Sequence, residues 1–182
     1  MIIHGKEYLY IDGYNIINAW DELKNISRVN LDLARDRLLE ICSEYQAYSG
    51  VYIIVVFDAH LQKGRKEVIK EQLGVQIVFT KERQTADHYI EQQVDKWGYK
   101  RKITVATSDY LEQQVVMGRG ARRISARELL MKINMVKKKY IANNSKESSK
   151  VKIESGFDNS LNDDELEKLE QFKMLLDIDS KN

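Results

Sequence analysis

The chain has 182 residues, and 43% of them are hydrophobic, which is enough for one domain with a real core plus an appendage. No apolar stretch approaches the ~20 residues that span a bilayer, and the N-terminus MIIHGKEYLY lacks the layout of a signal peptide. The one cysteine, Cys42, lies in a helical pattern and has no internal disulfide partner. We therefore expect a folded cytoplasmic protein, neither secreted nor embedded in a membrane.

Charge is distributed unevenly along the chain. Residues 1–142 carry 23 Lys and Arg against 18 Asp and Glu, whereas residues 143–182 carry 6 against 10. The body therefore has a net charge of +5 and the tail a net charge of −4. An excess of this size permits a polyanionic partner such as RNA but does not require one.

Apolar runs of strand length alternate with longer segments of helical period. This alternation predicts an α/β fold with a central, mainly parallel sheet of four to five strands flanked by helices. The run at 51–57 is apolar at nearly every position, so we expect it in the middle of the sheet, covered on both faces. The predicted strands are 8–12, 51–57, 75–79 and 103–106, with a short fifth at 121–124.

Helix predictions rest on period and on end signals. A helix over 31–48 should end at Gly50, and others are predicted over 86–97 and 110–117. Ser125 and Glu128 have the spacing of a capping box, which should open a last body helix ending at 139 or 140.

Beyond the predicted body domain, residues 1–142, the composition changes. Residues 143–160 are polar, small and without clear period, which predicts a linker. Residues 161–182 have apolar positions at helical spacing among acidic ones, which predicts an acidic amphipathic tail helix. That helix either docks on the body or captures a partner.

Four acidic residues follow strand-like runs: Asp12, Asp58, Asp87 and Asp109. The carboxyl ends of parallel strands meet at one edge of a sheet, where four carboxylates would repel unless a divalent cation held them. Oxygen ligands suit Mg²⁺ or Mn²⁺, and with three histidines in the chain a histidine-based zinc site is not expected.

Polar residues accompany these acids. Asn15 follows Asp12, Ser108 precedes Asp109, Thr85 can cap the helix that carries Asp87, and Glu91 lies one turn further along it. The ordinary alternative is that these groups only make turns and cap helices. Cationic and aromatic residues near the same edge are candidates for RNA contact, although each is equally explained as a solvated or packing side chain: Tyr14, His60, Lys63, Arg65, Lys66, Arg83, Arg119, Arg122 and Arg123.

The segments LYIDGYNIINAW, VVFDAH, VFTKERQTADHYIEQ and ITVATSDYLEQ, followed by GARRISARELL, resemble the NYN branch of the PIN-like nucleases, specifically the bacterial YacP-like family. The resemblance covers about residues 7–140. It implies a PIN-like domain that cleaves RNA as a metal-dependent endoribonuclease, and a ribosome-associated mRNA endonuclease is among the similar proteins. It maps a set of residues onto the family's acidic and polar site, with Thr85 and Glu91 in support: Asp12, Asn15, Asp58, Asp87, Ser108 and Asp109.

The resulting hypothesis assigns metal binding to Asp12, Asp87 and Asp109, which would hold one or two Mg²⁺ or Mn²⁺ ions. The partners would be RNA, specifically mRNA, and the ribosome. Three alternatives stay open. One is a non-catalytic RNA- or ribosome-binding module, one is an adaptor acting through the tail, and one is a phosphatase with an aspartyl nucleophile. The usual Asp-x-Asp signature of the last is missing, since Gly13 and Tyr14 follow Asp12.

Overall fold

The computed structural model describes residues 7–58, 66–107 and 120–154, with the side chains of 144–154 excluded. The helix predicted over 110–117 and the tail helix predicted over 161–182 lie outside the described residues. Within the described ranges, no helix is both long and apolar enough to cross a bilayer.

A six-stranded sheet organises the described part of the body. Its order is β3-β4-β2-β1-β5-β6, and every neighbouring pair is parallel except β3 with β4. The predicted mainly parallel α/β fold is therefore confirmed. The strands are β1 (Glu7–Asp12), β2 (Tyr52–Phe57), β3 (Val68–Gln72), β4 (Val75–Phe79), β5 (Lys102–Ala106) and β6 (Arg122–Ile124).

Helices cover both faces of this sheet. The described helices are α1 (Gly13–Ala19), α2 (Asp21–Val29), α3 (Leu31–Ser49), α4 (Ala86–Trp97) and α5 (Ala126–Glu154). The first three helices and the start of α5 bury their apolar residues against one face, and α4 buries its own against the other. Strand β2 is buried from Ile53 to Phe57, as expected of a central strand with cover on both sides.

Two predicted helix ends are confirmed. Gly50 ends α3 in the left-handed conformation (φ 70°), and its N–H donates to the carbonyl of Gln46. Before α5, the Ser125 N–H donates to Glu128 Oε2 at 2.8 Å and the Glu128 N–H donates to Ser125 Oγ at 3.2 Å. These reciprocal bonds form the predicted capping box.

The predicted count of four to five strands was too low, because β3 was missed. All five residues of β3 are exposed, so the strand lacks the apolar alternation that marks a half-buried strand. It pairs antiparallel with β4 through a two-residue turn in which Leu73 (φ 54°) and Gly74 (φ 77°) both have positive φ. The Leu-Gly pair between Gln72 and Val75 was the available hairpin signal.

Helix α5 also differs from its prediction, because it continues past 140 to Glu154. The first part of the predicted 143–160 linker is therefore helical. Residues 126–154 contain neither glycine nor proline, so no strong breaker stops the helix, and Gly156 is the next such residue. Residue contacts divide the chain into two compact units, Met1–Ala142 and Asn143–Asn182.

The start of α1 depends on a close approach of backbone to ring. A Cβ on Gly13 would overlap the ring of Phe57, which is fully buried at the end of β2. We expect Gly13→Ala to lower the free energy of unfolding by about 1–3 kcal/mol, because the ring must shift to admit the methyl group. Ala19→Ser, at the exposed end of α1, should change it by less than about 0.5 kcal/mol. Denaturant titration measures the free energy of unfolding of both variants. If Gly13→Ala had the same free energy of unfolding as the wild type, the tight contact between Gly13 and the Phe57 ring would be contradicted.

Candidate active site

The site lies at the carboxyl end of β1, in the middle of the sheet. Strand β1 is flanked by β2 on one side and β5 on the other, both parallel to it. The chain runs from β1 to β2 and its neighbours first, and then crosses back to β5 and β6. Open α/β sheets bind ligands in the crevice formed at such a switch of direction. Asp12 is the last residue of β1 and therefore stands at this crevice.

Asp12 has two partners there. Its carboxylate caps α1 by accepting a 3.0 Å hydrogen bond from the Asn15 N–H. The alternative prediction, that Asp12 caps a helix, is therefore confirmed. The same carboxyl group also lies close to the carboxyl group of Asp87, which raises the pKa of Asp12. Capping therefore does not account for all of the contacts of Asp12.

The environment of Asp12 favours its protonated form. Burial raises the pKa of Asp12 from 3.8 to about 7. The bond from the Asn15 N–H acts against this rise, whereas the nearby negative charges of Asp87 and Asp58 add to it. Carboxylates at this edge are therefore close together and poorly solvated, which is an environment that a cation relieves.

Helix α4 brings Asp87 to this edge. Thr85 caps the helix, as predicted, by accepting a 3.2 Å hydrogen bond from the His88 N–H. The carboxylate of Asp58, directly after β2, accepts a hydrogen bond from the N–H of Ala86, the first residue of α4. These two side chains fix the N-terminus of α4 at the end of the sheet, and Asp87 in its first turn consequently meets Asp12.

Three of the predicted acids, Asp12, Asp58 and Asp87, are thus brought together. Ser108 and Asp109 lie outside the described residues. Asn15 is half-buried beside Asp12, and its backbone N–H donates to the Asp12 carboxylate. Glu91 is half-buried one helical turn beyond Asp87.

The donor set suits a hard divalent cation. Carboxylate oxygens are the ligands that Mg²⁺ and Mn²⁺ prefer, and the repulsion between Asp12, Asp58 and Asp87 is what such an ion would offset. In the ranges that the structure describes, no three His, Cys, Asp or Glu side chains are arranged to hold one metal ion. The third predicted ligand, Asp109, is outside those ranges. Among the described residues, Asp12 and Asp87 could therefore supply two carboxylate ligands to one metal ion, and Asp58 lies near them.

Apart from Tyr14, the predicted RNA-contacting residues divide into two groups. Lys66, Arg83, Arg122 and Arg123 are exposed, and the last two are successive residues of β6 and so point to opposite faces of the sheet. Four others lie outside the described residues: His60, Lys63, Arg65 and Arg119.

Tyr14 has a packing role, as the alternative interpretation expected. Its ring lies 5.1 Å from that of Phe57, centroid to centroid, and its hydroxyl accepts a 2.9 Å hydrogen bond from Arg35 Nη1. Arg35, on α3, was not selected from the sequence. Its ion pair with Asp32, three residues earlier, is an ordinary helix contact, whereas Tyr14 and Phe57 are 21 and 22 residues away in the sequence, so no local pattern relates Arg35 to the site.

A mainly parallel α/β domain with an acid cluster at its switch point is typical of ligand-binding domains of the doubly wound class. The chain belongs to the YacP-like NYN domain family, whose model matches residues 9–174. NYN domains are generally nuclease domains. The family predicted from the motifs is therefore confirmed.

Similar proteins from Bacillus subtilis agree with this assignment. The uncharacterized protein YacP of strain 168 is 44% identical over 136 residues, which are 73% of this chain and 78% of that protein. The crystal structure of Rae1 (YacP) matches with a TM-score of 0.64 and 38% identity, over 92% of this chain and 94% of that one. A mutant of Rae1 (YacP) matches with the same TM-score and 40% identity, over 78% and 83% of the two chains.

Proposed function

We propose that this protein is a metal-dependent endoribonuclease. The closeness of the buried Asp12 carboxyl group to Asp87 and Asp58, at the switch point of an NYN-family sheet, is the observation that carries the proposal. Two adjoining carboxyls in a poorly solvated crevice are costly to the fold, and such groups are concentrated at functional sites.

Asp12 and Asp87 would be the ligands of Mg²⁺ or Mn²⁺, joined by Asp109. A bound ion of this kind polarises a phosphodiester and lowers the pKa of an attacking water. The chain's own residues set the geometry. The Asn15 N–H donates to one oxygen of Asp12 and so restricts that side chain. Asp58 accepts a hydrogen bond from the first residue of α4 and so fixes the start of the helix that carries Asp87. Asn15 and Ser108 would orient carboxylates or contact phosphate by hydrogen bonding.

The reaction is a hydrolysis within an RNA strand. Water adds to phosphorus and the bond to the 3′ oxygen breaks, which leaves a 3′-hydroxyl and a 5′-phosphate. We place the reaction in the cytoplasm and infer that mRNA is the substrate, with the ribosome as a partner, from the family resemblance described above.

The deciding experiment incubates the full chain with RNA in Mn²⁺ and, separately, in EDTA. One arm uses free RNA, and the other uses the same mRNA under translation by purified ribosomes. We expect internal cuts with 5′-phosphate ends in Mn²⁺ and none in EDTA, with faster cutting in the translated arm. Cutting that persists in EDTA would overturn the metal role, and equal rates in both arms would overturn ribosome dependence.

One rival function has support in the geometry, namely a non-catalytic RNA-binding module. Asp12 and Asp58 each accept a hydrogen bond from a backbone N–H at the start of a helix, so both stabilise the fold independently of any catalytic role. RNA that binds but remains uncut in both arms, with Mn²⁺ present, would establish that module instead.

A further inference from the structure

A small pocket lies on the α3 side of the sheet, next to the proposed site. Its volume is about 130 Å³, well below the ~300–1,000 Å³ of pockets that enclose drug-sized ligands. Its buried floor is formed by Leu39, Phe57 and Ile77, and Phe79 is half-buried beside them. The size and the apolar floor suit one small planar group.

The rim of this pocket is polar and carries both signs of charge. Arg35 comes from α3 and forms an ion pair with Asp32, which also lines the pocket, and its guanidinium carbon lies 6.0 Å from the ring centroids of both Phe57 and Phe79. Lys70 comes from β3, and its Nζ lies 5.0 Å from the Phe79 centroid. Asp36 and Gln72, which are joined by a 3.3 Å hydrogen bond, also line the rim. Rings beside cations, with amide and carboxylate groups at the edge, are what recognise an unpaired nucleobase.

Phe57 connects the pocket to the acids. Its ring packs on Gly13, directly after Asp12, and Asp58 is the next residue in the chain. The ring also stacks on Phe79, with centroids 5.5 Å apart. A nucleotide whose base occupied the pocket would therefore have its sugar-phosphate at the carboxyl edge of β2, beside β1 and its terminal Asp12.

We propose that this pocket, lined by Arg35, Phe57, Lys70 and Phe79, binds one unpaired base of the RNA strand next to the scissile phosphate. The proposal rests on the proposed function for its substrate class. In it, β3 forms one wall of the pocket through Lys70 and Gln72. Lys70 attracts the nucleotide by charge, and the planar guanidinium of Arg35, whose charge is paired with Asp32, offers a surface for stacking. The apolar floor excludes water from one side of the base.

The test uses the full chain with Asp87→Asn, so that RNA stays intact, and measures its affinity for single-stranded RNA of about ten nucleotides. Lys70→Ala and Phe79→Leu should each weaken binding about tenfold. Lys102→Ala, which removes an equal charge from an exposed position at the opposite end of the sheet, should change it less than twofold. Lys70 is exposed on an edge strand, so its replacement leaves the core intact.

An abasic nucleotide scanned through the oligonucleotide identifies the base. At one position it should weaken binding about as much as Phe79→Leu, and the two changes together should weaken it no further. The proposal would be overturned if the pocket variants bound RNA as tightly as Lys102→Ala does. It would also be overturned if, at every abasic position, the loss of affinity from the missing base added to the loss from Phe79→Leu. Coupling at one position without any Mn²⁺-dependent cleavage by the wild-type chain would support the pocket and overturn the proposed function.

Discussion

Asp87→Asn should reduce RNA cleavage at least ~100-fold while the fold is retained. Groups that only orient a metal ligand cost about 10–100-fold when lost, and a ligand itself should cost more. Asparagine has nearly the shape of aspartate, but it brings no negative charge to a cation. The measurement is kcat/KM on an RNA labelled at both ends, in saturating Mn²⁺.

Asp95→Asn supplies the matched control. Asp95 is an exposed residue of the same helix, two turns beyond Asp87, and its replacement removes the same charge. It should cleave within about twofold of the wild type, because surface charges far from a site act weakly through solvent. If Asp87→Asn cleaved as fast as Asp95→Asn, the site would have to be placed elsewhere.

The sequence predicted the location of the acids because one rule governs parallel sheets. Asp12 and Asp87 are 75 residues apart, yet each follows a strand or opens a helix at the same sheet edge. The bond from Asp58 to the Ala86 N–H was not predictable in the same way, since it depends on how α4 approaches β2. The role of Asp58 in fixing α4 is therefore a result of the three-dimensional structure.

The missed features share a physical cause. Strand β3 has no buried residue and therefore no hydrophobic pattern, so only its turn could have marked it. The pocket beside Phe57 draws its residues from α3, β2, β3 and β4, and no local spacing relates Arg35 to Lys70. Periodicity identifies elements that bury a face, whereas a surface pocket depends on how exposed residues of separate elements meet.

The acid pair has a consequence for stability that does not involve catalysis. With EDTA present, the folded chain keeps a proton on Asp12 over a pH range in which the unfolded chain has lost it, because burial raises the pKa from 3.8 to about 7. The folded state then binds more protons than the unfolded state, so stability falls as pH rises. The contribution is fully present below about pH 4 and is lost as the pH rises through about 7.

Asp12→Asn should remove this pH dependence while preserving the cap, because asparagine is as good an N-cap as aspartate. The difference in free energy of unfolding between the variant and the wild type, both in EDTA, should shift in favour of the variant by about 2–4 kcal/mol from pH 4 to pH 8. The upper bound of about 4 kcal/mol corresponds to the pKa change from 3.8 to about 7. Denaturant titrations of both proteins across this range measure the gain.

Addition of Mn²⁺ distinguishes a metal site from a merely strained acid pair. At pH 8 the wild type should gain about 2.7 kcal/mol at a hundredfold excess of Mn²⁺ over its dissociation constant. Asp12→Asn should gain much less, because one ligand charge is missing. Parallel pH curves for the two proteins in EDTA would contradict the buried acid pair, whereas divergent curves without a response to Mn²⁺ would contradict the cation. The two halves of the site's chemistry, desolvated carboxylates and metal binding, are thereby tested separately in one pair of proteins.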